Sequence, residues 1–330
     1  MIRKALLVLI SIFLLQSCNV GTSGTWKNES IEKDKKEEIK LLNDKLFKAI
    51  MSNDVKGVRA LLVDKLIEKD GDKIDKLIND ISTTYKSESY RVLDEYNVEN
   101  SSTNISNTLL SGASKDNDYV INYLALNKDM YTSLFIPNGH SNEILFTIIY
   151  GKYDDEWKIN IFRVGQYSLL KQTAPDYYKL AQESYKKASL IDAVNYSSLA
   201  KQCLRPADEN FKYKKENEIN DFHNKLMNEV NSKFSLPLTF ENIESKPKLC
   251  SIYPQVTAEG YFPMICYYSN INLKDTTALK IENNKVKTEV NKLFTGLYKD
   301  KKAVLYRIYN EMPDGKKIID HYGIVDKIKN

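Results

Sequence analysis

Few side chains in this chain of 330 residues are spaced for chemistry. The three histidines, His140, His223 and His321, are scattered, and no HExxH, HxH or CxxC spacing occurs, so a bound metal has no support in the sequence. Ser184, Ser198 and Ser245 each precede a lysine by three positions, but 42 lysines make such pairs expected by chance. The companion motifs of penicillin-binding enzymes are missing, as are a GxSxG elbow and a glycine-rich phosphate loop. Asp320 and His321 are adjacent, and neighbours in a strand point to opposite faces, so neither orients the other. The stretch KDGDK at 69–73 has carboxylates beside a glycine but lacks the further ligands and closing Glu of a calcium loop. No residue is therefore assigned to catalysis, to a metal or to a cofactor.

Cys18 is the one residue whose surroundings specify a reaction. Arg3 and Lys4 precede an uncharged apolar run, Ala5 to Leu15, which is followed by Gln16, Ser17 and Cys18. Crossing a bilayer takes ~20 apolar residues, so this run is too short to span and fits an export signal. Leu15, Gln16, Ser17 and Cys18 resemble the lipobox of bacterial lipoproteins, with Gln16 where a small residue is preferred. The resemblance implies that the Cys18 thiol receives a diacylglyceryl group, that residues 1–17 are removed and that the new amino group is acylated. Several acyl chains hold a protein to a membrane almost permanently, because each buried CH2 contributes ~0.8 kcal/mol. An ordinary export signal with a chance cysteine is the alternative. Asn19 is not the Asp that favours inner-membrane retention in some bacteria, so the outer membrane is the preferred address, with the protein facing the periplasm or the exterior. Residues 18–36 are polar and then densely charged, and read as a flexible tether.

Composition narrows the partners. With residues 1–17 removed, the formal charge falls from +4 to +2, and only six of the 48 basic residues are arginine. Arginine is the side chain suited to bidentate phosphate and base contacts, so nucleic acid is excluded as the expected partner. Of the four cysteines, Cys203, Cys250 and Cys266 remain after lipidation. Cys250 and Cys266 sit in two expected strands joined by a loop bounded by Pro254 and Pro263. Symmetric pairing sets Cys250 opposite Tyr267, and a one-residue offset puts the two thiols on opposite faces. A disulfide therefore needs a bulge or another register, and buried free thiols are the default expectation.

The elements that must position these residues follow from periodicity. Ile39, Leu42, Leu46 and Ile50 recur at helical spacing, and Ser52–Asn53–Asp54 supplies a stop and a fresh N-cap. Val55, Val58, Leu62 and Leu66 continue a second helix, KDGDK breaks it, and Ile74, Leu77, Ile78 and Ile81 mark a third. The period then becomes two in 89–98, 118–126, 130–136, 143–153 and 157–168, separated by turn-forming stretches. Short connections predict an antiparallel meander with the helices covering one face. Helices first, then strands, with YDDEWKI opening the last one, resemble the NTF2-like α+β cone over residues 37–170. That resemblance implies an apolar pocket with Tyr123, Phe146 and Trp157 as lining, the alternative for all three being core packing.

Residues 171–235 read as a helical spacer, a hairpin resembling one tetratricopeptide repeat followed by a long helix striped by Ile219, Phe222, Leu226 and Val230. Residues 236–330 read as a second, smaller α+β domain of two strands, a helix and a hairpin across Pro313, Asp314 and Gly315. Tyr261 and Phe262 stand in the proline-flanked loop, either exposed as an adhesive partner-contact surface or tucked beneath it. The expected function is that of a lipid-anchored cell-envelope protein acting as a non-enzymatic binding or scaffolding module, held to the membrane by Cys18 and contacting another envelope protein. The rival is a carrier or enzyme using the N-terminal cone for a small apolar ligand.

Overall fold

The computed structural model describes residues 22–314 and 316–328; Cys18 and the signal stretch lie outside the described residues. The chain is mixed α+β, and divides into two compact units. One comprises the residues up to Gln166 with Arg205–Lys212, and the other comprises Tyr167–Leu204 with the residues from Tyr213 onward.

In the first unit, α1 (Lys33–Met51), α2 (Val55–Arg59) and α3 (Asp64–Thr84) pack on a five-stranded sheet. The sheet is ordered β1 (Thr22–Lys27), β2 (Tyr90–Asn100), β5 (Asp129–Pro137), β6 (Glu143–Tyr153), β7 (Glu156–Ser168). Ile39, Leu46 and Ile50 form the fully buried stripe of α1, as their spacing requires. Asp54 caps α2 by accepting the Gly57 N–H at 2.9 Å, which is the fresh start expected after Met51. The helix stripe meets Tyr131, Phe135, Phe146, Ile148 and Tyr150 from the sheet.

Three expectations for this unit are corrected. KDGDK does not break a helix, because α3 runs through Gly71 without interruption. A Cβ on Gly71 would lie 3.2 Å from the Arg59 guanidinium, which itself grips Asp75 through two bonds of 2.9 and 2.7 Å. The ~1 kcal/mol helix cost of a glycine is accepted where α2 needs that close approach. The tether does not extend to residue 36. Thr22–Lys27 pairs with β2 from Thr22↔Asn100 to Lys27↔Tyr96, and Ile31 is buried in the core. Local charge density hides this strand, because a strand needs an edge to pair with and that edge lies 69 to 78 residues further along the chain.

The meander is also interrupted. β3 (Ile105–Leu110) and β4 (Tyr119–Ala125) leave the main sheet as a hairpin and join β8 (Phe211–Tyr213) in a three-stranded sheet, so β2 pairs directly with β5. β3 had no alternating apolar signature, since its buried positions are Asn107 and Leu109. Asn107 donates to Asn100 at 3.2 Å and to the Tyr123 hydroxyl at 3.0 Å. Amides thus occupy positions where apolar residues would have announced a strand.

The second unit carries α4 (Ala174–Lys186), α5 (Leu190–Gln202), α6 (Glu216–Lys233), and a sheet covered by α7 (Thr276–Leu293). Its strand order is β13 (His321–Lys327), β12 (Ala303–Tyr309), β11 (Gly260–Tyr268), β10 (Lys248–Thr257), β9 (Leu238–Thr239). β11 and β12 are parallel, and α7 supplies the crossover that parallel neighbours require. Ile191 of α5 shares a core with Leu249, Tyr267 and Val290. The helices expected as a spacer packed on a domain belong to this unit, where Ile191 of α5 finds its cover in the core under the sheet.

The proline-bounded loop is a further correction. β10 and β11 run through both prolines as one hairpin, with Pro254 opposite Pro263 and the turn at Ala258 and Glu259. Neither proline has an N–H to donate, and facing each other they need none from the pair. β12 pairs with β11 only from Met264 onward, and β9 pairs with β10 only at Lys248 and Leu249, so no outer neighbour requires those donors either.

Asn43 ties the helices of the first unit to its sheet. At 1 % exposure it donates to the Ser133 hydroxyl and accepts from the Tyr150 hydroxyl, both at 2.8 Å. A second amide tie, Asn160 to Asn127 at 2.7 Å, passes over Gly151, where an added Cβ would fall 2.0 Å from the Asn127 oxygen. Asn43→Ala strands two buried hydroxyls and is expected to cost about 2–4 kcal/mol in urea unfolding. The pair Asn43→Leu with Tyr150→Phe is expected to recover part of that loss.

Candidate functional site

Among the described residues each unit carries a concavity of several hundred Å3 that combines apolar and polar lining. In the second unit a pocket of about 670 Å3 lies where α4, the first turn of α5, the tip of the β10–β11 hairpin and the loop before β12 converge. Its floor is polar and closed. Asp192 and Lys301 form an ion pair at 2.9 Å, each side chain only 9 % exposed. Ser189 donates to the same carboxylate at 3.2 Å, and the Tyr261 hydroxyl reaches its other oxygen at 3.4 Å. The Asn195 amide donates to that hydroxyl at 2.7 Å. The Lys301 ammonium also stands 5.8 Å from the Tyr261 ring centre, within the range of a cation–π attraction.

The walls are aromatic and aliphatic. Tyr196 meets Tyr261 edge-on at 5.3 Å, and Leu180 and Phe262 line the pocket above them. Exposed Lys187, Lys299 and Lys302, and exposed Glu183, Glu259 and Asp300, also line it. Burial, with the Asp192 charge adding to it, pushes the Tyr261 hydroxyl well above its ordinary value. A phenol held neutral beside a carboxylate already neutralised by an ammonium is suited to hydrogen-bonding a ligand rather than to moving its protons. Volume, aromatic walls and a few convergent polar groups are the features of a small-molecule site.

In the first unit an open groove of about 800 Å3 runs between α1 and the start of β2. Phe47, Met51 and Val92 make it apolar. Several of its charges are paired: Lys40 and Tyr90 both donate to Asp44 at 2.6 Å, and Lys36 lies 2.8 Å from Glu29 and 3.7 Å from Glu95. Burial alone would raise the Asp44 carboxyl, but the Lys40 and Tyr90 hydrogen bonds outweigh it and hold the group below the usual range. For Glu95 the balance goes the other way, burial pushing it up despite Lys36.

The three residues expected to line a cone are not brought together. Phe146 stacks on Phe135 with ring centres 5.0 Å apart, and Trp157 sits edge-on to Tyr131 at 6.4 Å, both inside the filled core. Trp157 also reaches a shallow groove beside Leu41 and Leu42. Tyr123 is buried in the three-stranded sheet, bonded to Asn107. Tyr261 is tucked against α5 and Phe262 is buried, both in a strand rather than displayed on a loop. Asp192 and Lys301 escaped the sequence reading because 109 positions separate them and neither stands in a motif.

A serine and a histidine do meet in the second unit. The Ser197 hydroxyl lies 2.9 Å from Nδ1 of His223. That hydroxyl donates to the Val194 carbonyl at 2.8 Å, so it accepts from the imidazole, and Ser197 is only 2 % exposed. The contact fastens α5 to α6. Among the described residues no group of three or more His, Cys, Asp or Glu is placed to hold a metal ion, and no helix is long and apolar enough to cross a membrane. No protein-family model matches the chain, and neither a curated protein nor a solved structure matches it.

Two outcomes are expected. Lys301→Ala leaves Asp192 buried without its counter-charge, and is expected to destabilise the protein by about 3–5 kcal/mol in chemical unfolding. Burial, assisted by the Lys201 charge, holds the His223 imidazole below its ordinary value. The folded protein then binds that proton less tightly than the unfolded chain, so the contribution is intact above about pH 6.5 and is lost as pH falls below it. The unfolding midpoint is expected to decline from pH 7 to 5, and His223→Gln to decline less steeply; equal slopes would contradict this account.

Proposed function

We propose that this is a lipid-anchored cell-envelope protein, tethered through Cys18, that works as a binding module rather than as an enzyme, with the second-unit pocket as its ligand site. The observation that carries the binding assignment is the Asp192–Lys301–Tyr261 cluster at the floor of that pocket. Its charges are settled, its donors are pre-positioned, and aromatic walls offer an apolar face. Such a site suits a small polar ligand with one flat apolar side. The anchor rests on the lipobox resemblance of Leu15 to Cys18, and the outer-membrane address on Asn19. The partner side of the proposal is the membrane through the lipid, and another envelope protein.

For the first unit we infer an NTF2-like layer with a closed interior. Three helices laid on a five-stranded sheet support that likeness, and the stacked Phe135–Phe146 pair, filling the space a cone would keep open, supports binding at the surface. One observation favours the rival reading of an apolar-ligand carrier, namely the groove lined by Phe47, Met51 and Val92.

Metabolic labelling with a clickable fatty acid is expected to mark the wild type and to leave Cys18→Ala unmarked; a wild type without label refutes the anchor. Thermal-shift screening against envelope metabolites is expected to find a ligand that raises the melting temperature of the wild type and raises that of the pocket-lining variant Lys302→Glu less. If only long-chain fatty acids stabilise the protein, and Val92→Glu abolishes that effect, the groove and not the pocket is the site.

A further inference from the structure

The β10–β11 hairpin contains a bulge whose position decides the fate of two thiols. Leu249 pairs with Tyr267, and the next pair is Ser251 with Cys266, so Cys250 is the extra residue. Leu249 and Tyr267 belong to the buried core, Ile265 does too, and Ile252 packs against it. Core-facing residues at 249 and 252 leave both residues between them on the other face. Cys266, flanked by core-facing Ile265 and Tyr267, lies on that same outer face. A bulge sets two residues against one, so Cys250 and Ser251 both oppose Cys266 across the hairpin. The one-residue offset that would have separated the thiols is cancelled by one inserted residue.

The surroundings separate the roles of the three cysteines. Cys250 is partly exposed, with its Sγ 3.9 Å from the sulfur of Met312, which is itself 42 % exposed. Cys266 is 2 % exposed and flanked by the side chains of Tyr253 and Tyr309. Burial raises the thiols of both Cys203 and Cys250, but Cys203 is fully buried elsewhere in the unit, out of reach of a dissolved oxidant, whereas Cys250 is not. Opposed residues across an antiparallel pair have Cα atoms ~4.5–5.5 Å apart, inside the ~4.4–6.8 Å that a disulfide spans.

We propose that Cys250 and Cys266 are a disulfide-forming pair, present here in the dithiol state, and that Cys250 is the entry point for the oxidant. The oxidant is a second disulfide, of a small molecule or of a dithiol–disulfide protein. The Cys250 thiolate, having released its proton, attacks one sulfur of that disulfide, forming a mixed disulfide and expelling one thiolate. Cys266 loses its proton, attacks the Cys250 sulfur and expels the second thiolate. Two protons leave the protein, and the two electrons end on the oxidant, which departs as two thiols. The proposal relies on the exported location only for the supply of oxidant; the geometry is that of the chain itself.

Digestion at lysine and arginine releases residues 249–274 as a single peptide carrying both cysteines and not Cys203. The reduced full chain is equilibrated in buffers of rising glutathione disulfide, blocked with iodoacetamide in denaturant, and digested. The expected result is a peptide lighter by two hydrogens and free of adducts, which gains two adducts after reduction. Cys266→Ser is expected to stop at a glutathione adduct on Cys250. Two adducts on the wild-type peptide at every ratio, or a persistent glutathione adduct on wild-type Cys250, would overturn the proposal. The same peptide from acid-quenched cells tests the compartment separately. Disulfide in buffer but dithiol in cells would count against the exported location and leave the thiol pair standing.

Discussion

The Asp192 carboxylate is nine-tenths buried and must be neutralised where it lies, and the Lys301 ammonium does this at 2.9 Å. An unpaired charge at that depth would cost several kcal/mol, so the first turn of α5 and the loop before β12 have to meet there. Once they meet, Tyr261 is drawn in by its bonds to Asp192 and Asn195, and the hairpin tip closes one wall of the pocket. The pocket is thus a consequence of satisfying one buried ion pair, with its floor set by electrostatics and its walls by aromatic packing. Asn43 plays the corresponding part in the first unit, where a single amide meets hydroxyls from two strands and fixes where α1 sits on its sheet.

Closeness of backbone is the second recurring theme. Gly151 stands where an amide pair crosses the main chain with no room for a Cβ, and Gly71 where the Arg59 guanidinium would crowd one at 3.2 Å. Pro254 and Pro263 are tolerated inside strands because each faces the other at a place where no neighbour needs an N–H. The bulge at Cys250 is of the same kind. One additional residue reverses which face the following side chains occupy, carrying Ser251 to the outer face and returning Ile252 to the core.

Much of the local structure was legible. The α1 stripe, the Asp54 cap, the strands from β4 to β7 and the sheet–helix–hairpin order of the C-terminal region all follow from period and turn chemistry, which are properties of neighbouring residues. What was illegible has a common cause. β1 reads as charged tether until β2 offers it an edge, and β3 buries Asn107 where a strand would show an apolar side chain. Gly71 reads as a break until Arg59 arrives beside it. The pocket residues Asp192 and Lys301 have no local signature at all.

Residue order by itself determined the α+β class and the position of most helices and strands, because periodicity and capping act over a few neighbouring positions. Only the tertiary structure decided that β3 and β4 leave the meander, that α4 to α6 join the second unit, and that Asp192 meets Lys301. It also decided that Cys250 and Cys266 share a face. These outcomes depend on partners tens of residues apart and on a one-residue register, and a period of two along a strand is blind to both.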